Sequence, residues 1–542
     1  MIKENLIWMG STEKGESISI LPNMINRHGL VCGATGTGKT VTLKVLAESL
    51  SDLGVPVFMA DVKGDIAGLS QAGEDNENMQ KRIEKFGLKD AGFTYHGYPT
   101  TFWDIYGKTG IPLRATISEV GPLMLSRILG LNDLQSDILS VVFKIADDNH
   151  LLLIDTKDLK AILNYVDENK NDFQVDYGKI SSSSLGVITR AVVSLESSGG
   201  DVFFGEPALN ITDWFSQSDG KGMIHILDSS SLINNPKLYS SFLLWMLSEL
   251  FETLPEVGDL DKPKMVFFFD EAHLLFDDIS KDLEDKIEQV VKLIRSKGVG
   301  VYFCTQNPKD IPDGVLAQLG NKIEHGLHAY TPADQKGVKA AAESFRVNPE
   351  FDTYEAIQNL GTGQAIVSFL DEKGVPGIAQ QVDILPPQSL MSSISDTTRD
   401  QIVKGSLLYS KYATAVDNDS AYEFLQRKGL EDQAKSDQQE KETAAAKEKE
   451  RADKEAAKQK EKEEKAAQKE KEKAEKAEQK AAEKAQKEKE RAMKQVGSTL
   501  MGTVGRQVGK ELGKNFGTFG QQLGGNVGAS IGRGILKNLF SK

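Results

Sequence analysis

The feature that most constrains the fold of this 542-residue chain is the run Gly33-Ala-Thr-Gly-Thr-Gly-Lys-Thr40. It matches the pattern G-x-x-x-x-G-K-[ST], in which glycines let a loop wrap so that its backbone N–H groups face an anion. The apolar run Leu30-Val-Cys32 precedes it, and a helical pattern begins at Val41. This strand–loop–helix context predicts a phosphate-binding loop that ends at a helix N-terminus, where negative charge is favoured.

Each position of this loop has an expected role in binding a nucleoside triphosphate. The ammonium of Lys39 would reach the β- and γ-phosphates, and the hydroxyl of Thr40 would ligate Mg²⁺. The expected nucleotide-binding residues are Gly33, Ala34, Thr35, Gly36, Thr37, Gly38, Lys39 and Thr40.

A second motif places two carboxylates after an apolar strand, in Met265-Val-Phe-Phe-Phe-Asp-Glu271. This is the Walker B arrangement. Asp270 would hold Mg²⁺ through its water shell, and Glu271 would orient and polarise the attacking water. Alone, the pair could be a simple strand-end turn; the phosphate loop upstream favours the catalytic interpretation.

Polar residues follow two further predicted strands, at the sheet edge where α/β proteins bind ligands. Gln306 comes directly after the run 299–305 and could contact the γ-phosphate or the attacking water. Asp61 and Lys63 follow the run 55–60. They either shape the site or form a structural turn, and the sequence leaves both interpretations open.

Phosphoryl transfer in P-loop enzymes often uses a cation from a neighbouring subunit. Arg295, at the end of the helical pattern after Glu271, is the first candidate for such an arginine finger. Its alternative role is to complement a helix C-terminus. Arg346 and Lys339 are the next candidates.

Short β-rich runs alternate with helical patterns in residues 28–74 and 222–430, and several runs are apolar on both faces. This alternation predicts a three-layer α/β domain with a buried parallel sheet. Leucine and isoleucine at helical spacing in residues 75–221 predict a mainly helical insertion. Residues 1–27 form a short segment before the first strong strand.

The C-terminal part of the chain changes character twice. Residues 435–494 contain 37 charged positions and no Gly, Pro or aromatic residue, which predicts a solvated charged helix or semi-rigid linker. Residues 495–542 form a Gly-rich tail in which glycines recur every four residues. Either this tail is an oligomerisation or membrane-surface segment, or it packs loosely or not at all.

Charge and composition exclude several classes of protein. The net charge of -14 divides into -22 for residues 1–434, +3 for 435–494 and +5 for 495–542. An acidic body does not indicate nucleic-acid binding, although a ring can enclose a basic channel. Two cysteines cannot form a disulfide framework, and we expect Cys32 and Cys304 to be buried in a cytoplasmic protein. No apolar run has the length of a membrane span, and the seven histidines show no convincing metal-site spacing.

Taken in order, these motifs resemble the HerA/FtsK superfamily of P-loop ATPases, and residues 5–430 resemble the HerA-like bacterial proteins of the YjgR type. The more specific matching stretches are Pro112–Pro122, Gly200–Pro207, Tyr330–Lys336 and Leu360–Ala365. The resemblance implies a RecA-like domain with an additional strand, ATP, Mg²⁺ and a ring that is commonly a hexamer. HerA proper has an N-terminal β-barrel that engages a nuclease. The 27 or so residues before the phosphate loop are too few for one, so we infer no dedicated nuclease partner.

Two classes of function follow from these features. The first is an ATP-hydrolysing motor whose ring couples turnover to DNA translocation, as in the wider superfamily. The second is an ATP-gated assembly or scaffold protein that docks to a membrane surface or a protein partner through residues 495–542. Action on a polypeptide is a third possibility that the sequence leaves open.

Overall fold

A mixed β-sheet runs through the computed structural model, which describes residues 1–232, 236–276 and 281–490. The strands are β1 (Ile2–Lys3), β2 (Leu6–Ser11), β3 (Ser17–Ile20), β4 (Gly29–Cys32), β5 (Val57–Asp61), β6 (Thr100–Asp104), β7 (Ile111–Pro112), β8 (Gln217–Ser218), β9 (Lys221–Gly222), β10 (Ile224–Asp228), β11 (Met265–Phe269), β12 (Val299–Thr305), β13 (Asn321–His325), β14 (Gln364–Ser368) and β15 (Gln380–Ile384). The helices are α1 (Lys39–Asp52), α2 (Glu77–Lys85), α3 (Ile117–Ile128), α4 (Asp133–Asp148), α5 (Thr156–Glu168), α6 (Lys170–Tyr177), α7 (Ser182–Leu195), α8 (Asp201–Phe203), α9 (Pro236–Thr253), α10 (His273–Phe276), α11 (Lys281–Ile294), α12 (Asp313–Leu316), α13 (Pro332–Glu343), α14 (Thr353–Asn359), α15 (Asp396–Gly405), α16 (Leu407–Tyr412) and α17 (Ala421–Glu490).

The strands of the main sheet follow the order β1-β2-β15-β14-β13-β4-β12-β11-β5-β10-β6-β7, with β3 paired to β2. Strands β13 to β7 in this order run parallel, whereas β14, β15, β2, β1 and β3 pair antiparallel. Every residue of β4, β5, β11 and β12 is buried, as expected for parallel strands that are covered on both faces. The carboxyl ends of these strands therefore meet at one edge of the sheet.

Helices cover both faces of the parallel part of the sheet. The chain passes from β4 through α1 to β5 in one direction along the sheet, and from β11 through α11 to β12 in the other. Because such crossovers are right-handed, α1 and α11 lie on opposite faces. This arrangement confirms the predicted three-layer α/β class.

An aromatic cluster joins three parallel strands to the segment that precedes β8. The ring of Phe58 in β5 stacks on Trp214 with centroids 4.8 Å apart, and Phe267 in β11 lies 5.3 Å from Phe58. Trp214 also stacks on His225 of β10, and burial lowers the pKa of His225 to about 3. His225 is therefore a neutral core histidine at physiological pH.

The sheet extends into segments that the sequence pattern assigns elsewhere. Residues 1–27, expected as a short N-terminal segment, supply β1, β2 and β3, and β2 pairs with β15. Residues 75–221, expected as a mainly helical insertion, contain β6 and β7 as well as α2 to α8. The run of β6, Thr100-Thr-Phe-Trp-Asp104, is rich in β-branched and aromatic residues and pairs in parallel with β10. The strand has only five residues, whereas the helical pattern that follows it is much longer. The sequence of this segment therefore predicts mainly helix.

The chain divides into two units, residues 1–433 and 434–542. The helix α17 begins in the first unit and spans 70 residues, so it covers residues 435–490 of the predicted charged helix. Its surface carries i,i+4 ion pairs such as Lys454 with Glu450, which support an exposed helix. The remainder of the charged segment, 491–494, and the Gly-rich tail, 495–542, lie outside the described residues. Within the described part of the chain, every helix is too short or too polar to cross a bilayer.

Candidate active site

The phosphate loop connects β4 to α1, and glycine is required where the loop turns. Gly38 has a φ of 119°, and a Cβ atom there would lie 3.2 Å from the backbone of Gly363. The backbone N–H of Gly363 donates a 2.9 Å hydrogen bond to the carbonyl of Thr37. The turn that precedes β14 therefore packs against the loop and helps to fix its course.

The ammonium of Lys39 lies within the loop that precedes it. Its Nζ donates to the carbonyl oxygens of Gly33 at 2.5 Å and Ala34 at 3.1 Å, and the residue is only 6% exposed. A cavity of about 280 Å³ opens beside it. The lining residues are Thr35, Gly36, Gly38, Lys39, Thr40, Val41, Lys44, Lys63, Asp65, Asp270, Thr362 and Met391.

The structure brings the carboxylate of Asp270 to the same cavity as Lys39 and Thr40. Asp270 follows β11, which is separated from the phosphate-loop strand β4 by β12 alone. Burial and the neighbouring Glu271 raise the pKa of Asp270 above its ordinary value, while the Lys63 ammonium opposes them. Hydroxyl and carboxylate oxygens are suitable ligands for Mg²⁺, and phosphates supply further oxygen ligands. Thr40 and Asp270 therefore fit a Mg²⁺ site by the chemistry of their donors.

Glu271 turns its carboxylate toward a group of donors. The ammonium of Lys63 lies 2.7 Å from Oε1, the amide nitrogen of Gln306 lies 3.3 Å from both oxygens, and Nδ1 of His273 lies 3.4 Å from Oε2. Burial by itself raises the pKa of Glu271, but the Lys63 ammonium and the Gln306 amide outweigh it, and the net pKa lies below the usual range. The carboxylate is therefore ionised at neutral pH.

Gln306 links the two motifs. Its amide oxygen accepts a 3.3 Å hydrogen bond from the hydroxyl of Thr35 in the loop, while its amide nitrogen reaches Glu271. The structure thus brings Gln306 together with both the phosphate loop and Glu271.

Asp61 and Lys63 occupy different places, which resolves the choice that the sequence left open. The carboxylate of Asp61 accepts hydrogen bonds from the backbone N–H groups of Gly64 at 2.7 Å and Ile66 at 3.2 Å. Burial, together with nearby carboxylates of which Asp65 is the strongest, raises the pKa of Asp61 to about 7. Asp61 therefore holds the turn, and this turn presents Lys63 to the cavity.

The candidate arginine finger lies away from this group within the chain. Arg295 precedes β12, at the opposite edge of the sheet from Glu271, and its guanidinium lies 3.7 Å from Asp259. Arg346 donates to the carbonyl of Pro376 at 3.4 Å, and Lys339 pairs with Glu343. A role for any of these three cations across a subunit interface stays a prediction.

Arg82 of α2 makes a supporting contact that was not predicted from the sequence. Its guanidinium donates to the carbonyl oxygens of Ile384 at 2.7 Å and Thr362 at 3.1 Å, which holds the Gly361-Thr-Gly363 turn near the phosphate loop. The two glycines beside a polar residue were a visible signal of a tight turn. Nothing in the local sequence pointed to Arg82 as its partner.

A buried polar layer lies next to the loop. His325 bonds the hydroxyl of Thr42 at 2.9 Å and the carbonyl of Gln364 at 2.8 Å, and burial lowers its pKa to about 4. Cys32 and Cys304 are both buried, as expected. Within the described ranges, no group of three or more His, Cys, Asp or Glu side chains is placed to hold a metal ion.

Fold and site together define a P-loop nucleotide-binding protein of the α/β class. Residues 7–522 match the profile of the family described as Helicase HerA-like C-terminal, and the chain belongs to this family. The resemblance to HerA is thereby confirmed.

The chain is similar to two sequence relatives and two solved structures. The chain is 23% identical over 365 residues to the DNA double-strand break repair helicase HerA of Sulfurisphaera tokodaii, a match covering 65% of this chain and 64% of the relative. It is 32% identical over 125 residues, 22% of each chain, to the probable helicase MJECL08 of Methanocaldococcus jannaschii. The bacterial conjugative coupling protein TrwB has a TM-score of 0.48 at 15% identity, covering 72% of this chain and 92% of that one. For VirB4 of Thermoanaerobacter pseudethanolicus the TM-score is 0.45 at 15% identity, with 71% and 97% covered.

Proposed function

We propose that this protein is a Mg²⁺-dependent ATPase of the HerA/FtsK type that assembles into a ring, commonly a hexamer, and couples hydrolysis to DNA translocation. The observation that carries the proposal is that Lys39, Thr40 and Asp270 line one cavity and Glu271 lies directly beside them. The ATPase would comprise residues 28–74 and 222–430 together with the strands that the flanking segments add to the sheet. Its cytoplasmic location stays a prediction.

The reaction assigns one task to each side chain. The loop N–H groups hold the phosphates, and Lys39 moves from the carbonyl oxygens of Gly33 and Ala34 to the β- and γ-phosphates. Thr40 and Asp270 would hold Mg²⁺, which would supply positive charge against the phosphates. Glu271 accepts the proton of a water whose oxygen attacks the γ-phosphorus. The bond from that phosphorus to the β–γ bridging oxygen breaks, giving ADP and phosphate. Gln306 positions the water beside Glu271, and Arg295 of a neighbouring subunit completes the charge clamp.

DNA is the proposed polymer because the Sulfurisphaera relative is named a DNA repair helicase. The acidic charge of residues 1–434 means that a DNA path would have to concentrate its cations in a small part of the surface, since phosphate neutralisation drives such binding. DNA stimulation of the ATPase rate should therefore weaken steeply as salt increases.

The test measures ATP binding and ATPase rate, with and without DNA, at low and moderate salt, alongside the mass of the oligomer. Lys39→Ala should abolish nucleotide binding. Glu271→Gln should keep binding and lower the rate about 100-fold or more. Tight ATP binding by Lys39→Ala would contradict the assignment of the loop. An ATPase indifferent to DNA, with nucleotide-dependent oligomerisation, would favour the assembly protein instead of the motor.

A further inference from the structure

Lys63 is a cation that the proposed reaction leaves without a task, although it lines the nucleotide cavity together with Lys39. The turn that carries it is fixed by the two backbone hydrogen bonds to Asp61. The side chain itself is 40% exposed, so its four-carbon stem has room to move while its backbone stays in place.

The present partner of Lys63 is the group that must activate water. Two donors reach the Glu271 carboxylate, namely Lys63 at 2.7 Å and Gln306 at 3.3 Å, and Nδ1 of His273 lies 3.4 Å away. The carboxylate side chain is only 6% exposed. A general base needs a lone pair directed at the water whose proton it takes. A carboxylate held by an ammonium and an amide N–H group is a weak base, so this arrangement restrains Glu271.

We propose that Lys63 exchanges between two anions, pairing with the Glu271 carboxylate before nucleotide binds and with the terminal phosphate of a bound nucleoside triphosphate afterwards. The exchange releases Glu271 to accept a proton from water. This inference rests on the proposed function and assigns Lys63 as a phosphate-sensing residue of the same site.

The direction of exchange follows from charge. A terminal phosphate carries more negative charge than a carboxylate, and it would enter the cavity that Lys63 already lines. A nucleoside diphosphate has no terminal phosphate at this position and leaves the Lys63–Glu271 pair intact. A bound triphosphate therefore competes with Glu271 for Lys63, and a bound diphosphate does not.

The experiment is a double-mutant cycle on the full-length protein, in Mg²⁺, with the β,γ-imido analogue of ATP and with ADP as probes. The proteins are wild type, Lys63→Met, Glu271→Gln and the double variant. Glu271→Gln frees Lys63 and should tighten analogue binding by about 10-fold, with ADP affinity changed by less than about twofold. In the Lys63→Met background, Glu271→Gln should have no such effect on the analogue.

One control variant and one replacement variant accompany the cycle. Lys14→Met removes an ammonium from another 2.7 Å pair, with Glu350, outside this cavity, and should leave both affinities unchanged. Lys63→Gln replaces Lys63→Met if the latter lowers the melting temperature.

Equal tightening by Glu271→Gln with and without Lys63 would mean that simple charge repulsion from Glu271 acts alone, and it would overturn the exchange while leaving the ATPase proposal intact. A wild-type protein that binds neither probe would instead overturn the proposed function itself. Tightening of ADP and analogue by the same factor would also contradict the exchange, because ADP lacks the phosphate that Lys63 is proposed to sense.

Discussion

At Glu324, burial decides the protonation state of a carboxyl group next to the phosphate-loop strand. Burial raises its pKa to about 8, and the Cys32 thiol, Lys39 and Lys322 only partly oppose this rise. Its Oε1 atom has no hydrogen-bond partner. The folded protein therefore keeps this group protonated at neutral pH, while the unfolded chain ionises it near its ordinary pKa of 4.5.

This difference in pKa predicts that stability falls from weakly acidic to weakly alkaline pH. Between the two pKa values the folded state binds the extra proton, so the free energy of unfolding falls as pH rises from about 4.5 to about 8. Glu324→Gln removes the titration and should raise the melting temperature above that of wild type at pH 8.5, with a smaller difference at pH 6. Melting curves of both proteins across this pH range show whether the difference in melting temperature grows as pH rises. The exposed Glu343→Gln is the control, and parallel pH profiles for wild type and Glu324→Gln would contradict the prediction.

Local motifs made part of the site predictable from the sequence. Gly33 to Thr40, Asp270 and Gln306 each stand at the end of a buried strand, and parallel strands bring such ends to one edge. Contacts between distant segments were not predictable in the same way. The Lys63–Glu271 ion pair joins residues roughly 200 positions apart, and its existence depends on the position of β5 beside β11. For Arg82 the partners are backbone carbonyls, which leave no side-chain signal.

At the scale of elements, one arginine of α15 joins that helix to the sheet by an ion pair. The guanidinium of Arg399 lies 3.1 Å from Asp228 at the end of β10 and 4.9 Å from the ring centroid of Phe102 in β6. Arg399 and Asp228 are 13% and 11% exposed, so the pair is largely shielded from water. Removing one partner would leave the other charge poorly compensated.

We expect Arg399→Ala to lower the free energy of unfolding by about 2–4 kcal/mol, because it breaks a shielded ion pair and a cation–π contact. Lys404→Ala on the same helix removes an exposed ion pair with Asp400 and should lower the free energy of unfolding far less than Arg399→Ala does. Urea unfolding of both variants provides the comparison. Equal losses would show that α15 contributes through general packing and not through Arg399.

Helices and strands were predictable where their sequence pattern was long and regular. The charged pattern of residues 435–494 predicted much of α17, because Ala, Glu and Lys favour helix without any tertiary partner. The short strands β1, β3 and β7 have little period to detect, and they are strands because the neighbouring edge of the sheet supplies their hydrogen bonds. Such pairing is a property of the assembled sheet and not of the local sequence.

At the scale of the whole molecule, the division at residue 433 predicts that the first unit folds and acts without the second. A protein ending at residue 433 should keep its ATPase rate per subunit within about twofold, because a compact unit with its own core is expected to fold alone. Its circular dichroism should lose helical signal, since most of α17 is removed. Loss of ATPase activity with the fold intact would mean that residues 434–542 set the assembly on which the rate depends.

The central position of β4 has a consequence for the order of events on the ribosome. β4 is translated early, but one of its two sheet neighbours, β12, pairs with it through residues roughly 270 positions later, and the other, β13, comes later still. At roughly 5–20 residues per second, the apolar β4 waits about 15–55 s for the first of these neighbours. Throughout that interval the nascent chain exposes an apolar strand that has no pairing partner. A chaperone that shields this strand would act on the phosphate-loop region before any other part of the sheet is complete.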